Sequence, residues 1–366
     1  MEEKRQDTLP TEDSLFDKVS VLIEESRKRI AKAVNTAMVH TYYGIGQYIV
    51  EYEQGGKARA EYGKGVLRHL PERLTERYGE GWSVETPKKC RKLFSVYQIG
   101  STPQADMAVD NLVHSVDQIH SFVLSWNHYQ VLMRIADPQA RSFYEIEAAQ
   151  QQWSVRQLQR QVASSLYERL ALSRDKDEVM RLATEGQVVQ KPSDIIKDPL
   201  VLEFVGLRPD ASYSEADLEA AIIGRLQGFL LECGKGFLFE ARQKRFTFDE
   251  DYFYVDLVFY NRILQCYVLV DLKMGNLTHQ DLGQMQMYVN YFDRCIRLGF
   301  EKPTIGILLC EQKNNAVVEL TLPKDAHIYA QQYAICLPDK NVLRQKLAEW
   351  ADEYKQHHHR TGEGKA

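Results

Sequence analysis

Two kinds of hydrophobic pattern divide this chain. In residues 14–172 apolar side chains recur every three or four positions, as Phe16, Val19 and Ile23 do, which is the spacing of amphipathic helices. Beyond Pro199 short β-branched and aromatic runs alternate with helical segments. The pattern therefore predicts a helical N-terminal half followed by a half that mixes strands and helices.

The stretch between these halves is polar and weakly patterned, and it predicts a linker at 173–199. We expect a helical DNA-binding or interaction domain at 14–172 and an α+β or α/β domain at 200–355. The order of elements in the second domain predicts a helix, three antiparallel strands, a helix and a further strand. Together these would form a mixed sheet of four or five strands. Residues 356–366, with the run His357–His359, predict a disordered tail.

The composition is that of an ordinary folded protein, with 44% hydrophobic and 27% charged residues among 366. The net charge of −5 gives no overall attraction to nucleic acid, so any DNA contact must come from local basic surface. The six cysteines form no Cys-x-x-Cys pair, which favours reduced thiols in a cytoplasmic protein. We expect no membrane segment, because no apolar run approaches the length of a span, and no NTP site, because the phosphate-binding loop motif is missing.

The strand-like runs 252–260 and 265–273 carry acidic side chains, namely Asp256 and Asp271, with Lys273 two residues after the second. Burying a lone carboxylate is costly unless it is paired or binds a metal. An even-length hairpin loop would place all three side chains on one side of the sheet. A two-residue loop would set Asp256 opposite Tyr267, and a four-residue loop would set it opposite Leu269. The pattern suggests a divalent-metal site, although a cross-strand salt bridge between Asp256 and Lys273 is the plainer alternative.

Two helical segments carry further polar side chains. On a helical wheel Glu219 falls within the apolar arc that starts at Leu218, where a structural salt bridge and a role beside a metal are both open. Thr278 is expected to cap the later helix. Gln284 and Tyr288, four residues apart, share one face of that helix, which alone would indicate a solvated polar face.

Together these residues resemble the PD-(D/E)XK nuclease superfamily, in particular its YhcG-like branch. The resemblance is carried by Glu219, Val255-Asp256, Asp271-Leu-Lys273 and Gln284-x-x-x-Tyr288, by Gly234 to Gln243 and Gly283 to Tyr288, and in the N-terminal half by Ala33-Val-Asn35, Leu124 to Tyr129 and Trp153-Ser-Val155. It covers nearly the whole chain. It implies a restriction-endonuclease-like mixed sheet flanked by helices and an N-terminal DNA-binding or interaction domain.

The resemblance also implies a metal-dependent DNA endonuclease in which Asp256, Asp271, the backbone of Leu272 and Glu219 bind Mg²⁺ or Mn²⁺. Lys273 would stabilise the transition state, and Gln284 and Tyr288 would position the DNA backbone. Valine at 255 replaces the proline of the signature, and aspartate at 271 replaces the commoner glutamate. The second departure keeps a different function open, a nuclease-like module that binds nucleic acid or protein without cutting. A role in repair, recombination or defence would use the same residues.

DNA capture is expected to come from local basic helices. A cluster follows Trp82 and a preceding amphipathic helix at 59–78, an arrangement that resembles a helix-turn-helix or winged helix: Lys88, Lys89, Arg91 and Lys92. Arg156 and Arg160 form a second candidate. A solvated basic surface is an equal alternative for the first cluster. The helical domain would otherwise support a homo-oligomer or recruit a protein partner.

Overall fold

The computed structural model describes residues 12–54, 59–97, 122–172, 176–197, 199–208, 212–248, 250–313, 315–323, 326–343 and 345. The expected tail at 356–366 lies outside the described residues. The chain divides into two compact units, residues 1–136 and 137–366. Each unit is described by itself below.

In the first unit the described residues form four helices and no strand: α1 (Glu12–Gln54), α2 (Arg59–Tyr78), α3 (Glu85–Tyr97) and α4 (Trp126–Leu132). Gly79 ends α2 with a left-handed backbone, φ 85°. Gly46 of α1 lies against α3 so closely that a Cβ there would stand 2.1 Å from the carbonyl oxygen of Cys90. The described part therefore has successive helices α2 and α3, as a helix-turn-helix requires, and no winged-helix strand.

The second unit begins with four helices and a 3₁₀ turn: α5 (Pro138–Gln150), α6 (Val155–Ala163), α7 (Leu166–Leu172), α8 (Lys176–Glu185) and Pro192–Ile195. The segment expected to be a linker is thus largely helical where it is described. Arg169 of α7 is fully buried and its guanidinium lies 2.5 Å from Glu232, far along the chain. Residues 137–172 group with the sheet, and this ion pair is one of the links between them, whereas the sequence pattern placed them with the N-terminal helices.

A six-stranded mixed sheet forms the centre of the second unit, in the order β1-β6-β5-β4-β3-β2. The strands are β1 (Leu200–Val201), β2 (Phe237–Phe248), β3 (Asp251–Asn261), β4 (Cys266–Asn276), β5 (Ile305–Gln312) and β6 (Ile328–Ala334). β2, β3 and β4 pair antiparallel, whereas β4, β5, β6 and β1 pair parallel. The sequence predicted four or five strands, and the two-residue β1 is too short to show a hydrophobic pattern.

Helices cover both faces of this sheet. On one face α9 (Glu215–Gly224) and α10 (Leu226–Cys233) contribute Leu218, Ile222 and Phe229 to a core with alternate residues of β3 and β4. On the other face α11 (His279–Tyr291) packs through Leu282 and Met285. A short helix, α12 (Asn315–Thr321), precedes β6. Arg225 separates α9 from α10 and follows Gly224, a poor helix former, so the apolar arc that starts at Leu218 is divided between two helices.

These observations establish the expected fold class, a mixed sheet flanked by helices after a helical N-terminal region. Within the described ranges, no helix is both long and apolar enough to cross a membrane.

Candidate active site

The pairing of β3 with β4 brings the two predicted carboxylates opposite each other. The strands are joined by residues 262–265, an even-length loop, and their last pair is Leu257 with Val270. The next position on each strand is Asp256 and Asp271. The sequence argument for a four-residue loop had set Asp256 opposite Leu269, and the observed register differs from this by two residues. A shift by two residues keeps both side chains on the same face of the sheet, so the two carboxylates still lie together.

Asp256 is held by the backbone of β4. Its Oδ2 accepts a hydrogen bond from the N–H of Leu272 at 2.8 Å. Leu272, predicted as a ligand through its backbone, thus also fixes the orientation of the first carboxylate. The bond orients Asp256 at the edge where the two strands separate.

Asp271 is almost completely buried, with 2% of its surface exposed. Burial, and then the neighbouring Asp256 carboxylate, raises the pKa of Asp271 to about 7. Its Oδ2 lies 2.9 Å from Nζ of Lys273, which also lies 4.0 Å from Asp281. Lys273 therefore pairs with Asp271, whereas the alternative drawn from the sequence paired it with Asp256.

The charge of Lys273 is set by two opposing effects. Burial lowers the pKa of its ammonium group, but the carboxylates of Asp271, Glu215 and Asp281 outweigh burial and raise the pKa above its usual value. Lys273 consequently remains positively charged at neutral pH. It is suited to act as a fixed cation and not as a proton acceptor.

Glu219 of α9 joins this site through a residue that the sequence argument did not single out, Gln243 of β2. The Nε2 of Gln243 donates to Glu219 Oε2 at 2.6 Å and to Asp256 Oδ1 at 2.9 Å. The backbone of Gln243 has φ 45°, a left-handed conformation that is uncommon for residues other than glycine. Arg242 adds an ion pair to Glu219 at 3.0 Å. The available hint was the Glu-Ala-Arg-Gln segment that contributes to the family resemblance.

Tyr288 of α11 also lies in this site, near the carboxylates of Asp271 and Asp256. It is 1% exposed, and burial, followed by the charge of Asp271, raises the pKa of its hydroxyl. Gln284 donates a hydrogen bond from Nε2 to this hydroxyl. Thr278 caps the helix, as the sequence predicts, and Asp281 Oδ2 accepts from the Thr278 N–H at 2.8 Å. The predicted pair Gln284 and Tyr288 thus lies beside the carboxylates through Tyr288.

The donor chemistry fits a hard divalent cation. Asp256 and Asp271 offer oxygen ligands, and the pKa of Asp271 is raised by burial and then by repulsion from Asp256, both of which a bound cation would offset. Across the described residues, however, no three His, Cys, Asp or Glu side chains stand close enough to hold one ion together. Glu219, expected to complete the acidic cluster through water or a second ion, is linked to Asp256 by the amide of Gln243. A two-carboxylate site completed by water suits Mg²⁺, which keeps several waters.

The predicted basic cluster lies on α3 in the first unit, and all four side chains are exposed. Three of them already have polar partners. Lys88 lies 2.8 Å from Glu85, Arg91 lies 3.1 Å from Glu53, and Lys89 donates to the amide oxygen of Gln130 at 2.9 Å. The cluster is accessible, but part of its charge is neutralised locally.

The second basic candidate divides into two different residues. Arg156 is exposed at the start of α6. Arg160, by contrast, is largely buried, lies 2.8 Å from Glu203 and 3.0 Å from Glu232, and stacks over the ring of Phe204 at 4.9 Å. The structure places Arg160 in an internal ion-pair network and not on a surface that nucleic acid could reach.

Comparison with known proteins finds matches along almost the whole chain. Residues 193–348 match the YhcG PDDEXK nuclease domain, and residues 18–169 match the DUF1016 N-terminal domain. The chain is 35% identical over 364 residues to "Putative nuclease YhcG" of Escherichia coli (strain K12), covering 95% of this chain and 96% of that protein.

Two solved structures show weaker likeness. A "repair endonuclease from Pyrococcus abyssi" is 18% identical, with a TM-score of 0.24, over 36% of this chain and 50% of that chain. The "EndoMS-dsDNA2 complex" is 14% identical, with a TM-score of 0.25, over 37% of this chain and 51% of that chain. Each match spans about half of the other chain, and scores this low support no inference about function. The full-length match and the two domain models instead identify this chain as a member of the YhcG family, with a DUF1016 N-terminal domain and a PDDEXK nuclease domain.

Proposed function

We propose that this protein is a Mg²⁺- or Mn²⁺-dependent endonuclease that hydrolyses phosphodiester bonds in DNA. The observation that carries the proposal is the meeting of Asp256 and Asp271 across β3 and β4, with Lys273 2.9 Å from Asp271. Two carboxylates that can bind a cation and one fixed positive charge are groups suited to metal-assisted phosphodiester hydrolysis. Membership of a nuclease family supports the same reaction.

Each residue has a distinct role in this proposal. Asp256 and Asp271 would bind the cation, with the backbone of Leu272 beside them and Glu219 acting through water or a second ion. Lys273, whose raised pKa keeps it protonated, would stabilise negative charge that develops on the phosphate. Gln284 and Tyr288 would position the DNA backbone by hydrogen bonds from their amide and hydroxyl groups.

A bound divalent cation would supply two things, a more acidic attacking water and neutralisation of phosphate charge. The chain's own contribution is to hold the carboxylates in place before the ion arrives. The Leu272 N–H and the Gln243 amide do this for Asp256, and Lys273 does it for Asp271. Such fixed orientation lowers the reorganisation needed for reaction.

The test is cleavage of a covalently closed plasmid, which has no ends and so reports endonuclease activity. We expect nicking or linearisation with Mg²⁺ or Mn²⁺, none with EDTA, and a loss of roughly 10²-fold or more in Asp256→Ala and in Lys273→Ala. Cleavage that persists in both variants would show that the site is elsewhere. Metal-independent binding without any cleavage would favour the alternative, a nuclease-like binding module.

Partners and compartment follow as parts of this proposal. DNA capture would use the exposed α3 cluster and Arg156, and a homo-oligomer would form through α1. Several large apolar side chains of α1 are exposed, including Phe16 at 70%, Ile30 at 64% and Leu22 at 58%. Light scattering of the full chain would show whether it is a monomer or a larger assembly.

Free cysteines in the described chain support a cytoplasmic location.

A further inference from the structure

The outer part of the β2–β3 hairpin extends past the candidate site as a two-stranded ribbon. Pairing between β3 and β4 stops at Leu257, whereas pairing between β2 and β3 continues to Phe248 and Asp251. The ribbon begins where Gln243 contacts Asp256, so a ligand bound along the ribbon would extend to the carboxylates.

The two faces of this ribbon differ. On one face Phe246 stacks on Phe253, with centroids 5.5 Å apart, and on Tyr291 of α11 at 4.2 Å. This packing anchors the ribbon to the body of the second unit. The opposite face carries Tyr252, which is 59% exposed, and Tyr254, which is 45% exposed.

Arg245 lies on the same exposed face as the two tyrosines, which we call the open face. Arg245 pairs directly with Tyr254 across the strands, so the two side chains project to the same side. Its guanidinium lies 4.1 Å from the centroid of the Tyr252 ring. Two exposed aromatic rings beside a planar cation form a surface on which nucleobases stack and to which phosphates are attracted.

The spacing of the tyrosines indicates which form of DNA would fit. Residues two apart on a strand are about 7 Å apart. Stacked bases along one strand of a duplex rise about 3.4 Å per nucleotide. The rings therefore match a strand whose bases are unpaired and separated, and a duplex would hide its base faces from them.

The turn of the hairpin limits the length of such a contact. Glu250 and Asp251 are exposed there, and their negative charges would repel phosphates. A bound strand would therefore run from the carboxylates over Tyr254 and Tyr252 and leave before the turn.

From these features we infer that the open face of the hairpin, Arg245, Tyr252 and Tyr254, binds single-stranded DNA next to the cleavage site. The inference rests on the proposed nuclease function and adds to it a preference, among DNA substrates, for DNA with an unpaired segment, such as an overhang, a flap or a fork.

The experiment uses the full chain in EDTA, so that binding is measured without cleavage. Fluorescence anisotropy is recorded with a labelled single strand, the blunt duplex of the same sequence, and that duplex with a single-stranded extension. In Tyr252→Ala/Tyr254→Ala we expect the Kd for the single strand and for the extended duplex to rise by about tenfold or more, with a change of less than about twofold on the blunt duplex.

Matched variants separate stacking from other effects. Tyr252→Phe/Tyr254→Phe keeps both rings and should bind the single strand like the wild type, and Arg245→Ala should weaken it. Phe300→Ala removes an aromatic ring that is 72% exposed elsewhere and should change nothing. Because all these positions are exposed, circular dichroism and thermal midpoints should match those of the wild type.

Several results would overturn the inference: unchanged single-strand affinity in the alanine pair, an equal loss on blunt duplex, an equal loss in the phenylalanine pair, or tighter binding of single-stranded RNA than DNA. Failure of the proposed function looks different. A wild type that cuts neither closed plasmid nor the extended duplex with Mg²⁺ or Mn²⁺ would refute the nuclease, whereas the affinities for the three DNA forms would still be compared in EDTA.

Discussion

The amide of Gln243 donates a hydrogen bond to Asp256 at 2.9 Å while the same nitrogen donates to Glu219 at 2.6 Å. One side chain thus joins a strand carboxylate to a helix carboxylate. Two acids that would otherwise repel each other are held by a neutral donor between them. Gln243 is for this reason a positioning residue of the candidate site.

Replacing Gln243 by methionine keeps the volume of the side chain and removes both hydrogen bonds. We expect plasmid cleavage to fall by about 10–100-fold, the usual effect of losing a group that orients metal ligands. Affinity for Mn²⁺, measured by calorimetry without DNA, should fall as well. Gln227→Met, at an exposed position of α10, is the matched control and should behave like the wild type. A Gln243→Met protein with normal Mn²⁺ affinity would contradict the positioning role.

The pKa of Asp271 predicts how cation binding depends on pH. Since burial and Asp256 raise this pKa to about 7, the carboxyl group holds a proton below that pH and must release it to bind a cation. Affinity should therefore increase as pH rises through about 7 and then level off. Calorimetry in two buffers of different ionisation enthalpy would measure the released proton. Asp271→Asn should abolish the release, and an affinity independent of pH would contradict the assignment.

Glu232 predicts a pH dependence of stability. Burial would raise its pKa, but Arg169, Lys197 and Arg160 together hold the pKa at about 2, below its usual 4.5. A lowered carboxylate pKa adds stability above the usual value, and this stability is lost as pH falls toward about 2. Glu232→Gln should therefore destabilise the protein at neutral pH by about 3–5 kcal/mol, because buried arginines lose their partner. Urea unfolding at several pH values measures this.

The control for Glu232 is Glu185→Gln, which breaks an exposed pair with Arg181. Surface pairs contribute little, so this variant should unfold like the wild type. Equal effects of the two substitutions would show that the buried network does not stabilise the second unit.

The bounds of the two domains stay a prediction that truncation can test. A chain that starts at residue 193, where the nuclease-domain match begins, lacks Arg160 and Arg169. It leaves the buried Glu232 without these partners, and we expect it to be insoluble or unfolded. A chain that starts at residue 137 keeps the network and should unfold cooperatively. Cooperative unfolding of the shorter chain would support the linker at 173–199 as the true boundary.

The basic cluster on α3 predicts a salt effect. Replacing it by alanine should weaken duplex binding and reduce the dependence of log Kd on log salt by about 0.9 for each phosphate that the variant no longer neutralises. The four residues are Lys88, Lys89, Arg91 and Lys92. Anisotropy at several salt concentrations gives this slope. A control with the same change in charge replaces four exposed residues of α1, Lys18, Arg27, Arg29 and Lys32. An unchanged slope in the α3 variant would show that these side chains are solvated and do not contact phosphates.

Most strands and helices around the sheet of the second unit can be predicted from local sequence patterns. Alternating and continuous apolar runs predicted β3 and β4, and the Thr278 cap predicted the start of α11, because these features depend on residues close together in the chain. The same local information singled out Asp256, Asp271 and Lys273, because burying a carboxylate in an apolar strand is costly unless it is paired or binds a metal.

Features that depend on residues far apart in the chain could not be predicted in this way. Hydrophobic alternation repeats every two residues, so it could not distinguish a pairing of Asp256 with Leu269 from one with Asp271. It also could not show that Gln243 would reach Glu219, or that Arg160 would pair with Glu232 in the interior and not face nucleic acid. Periodicity gives the face of a strand or helix, whereas the partner across that face is set by the packing of the whole unit.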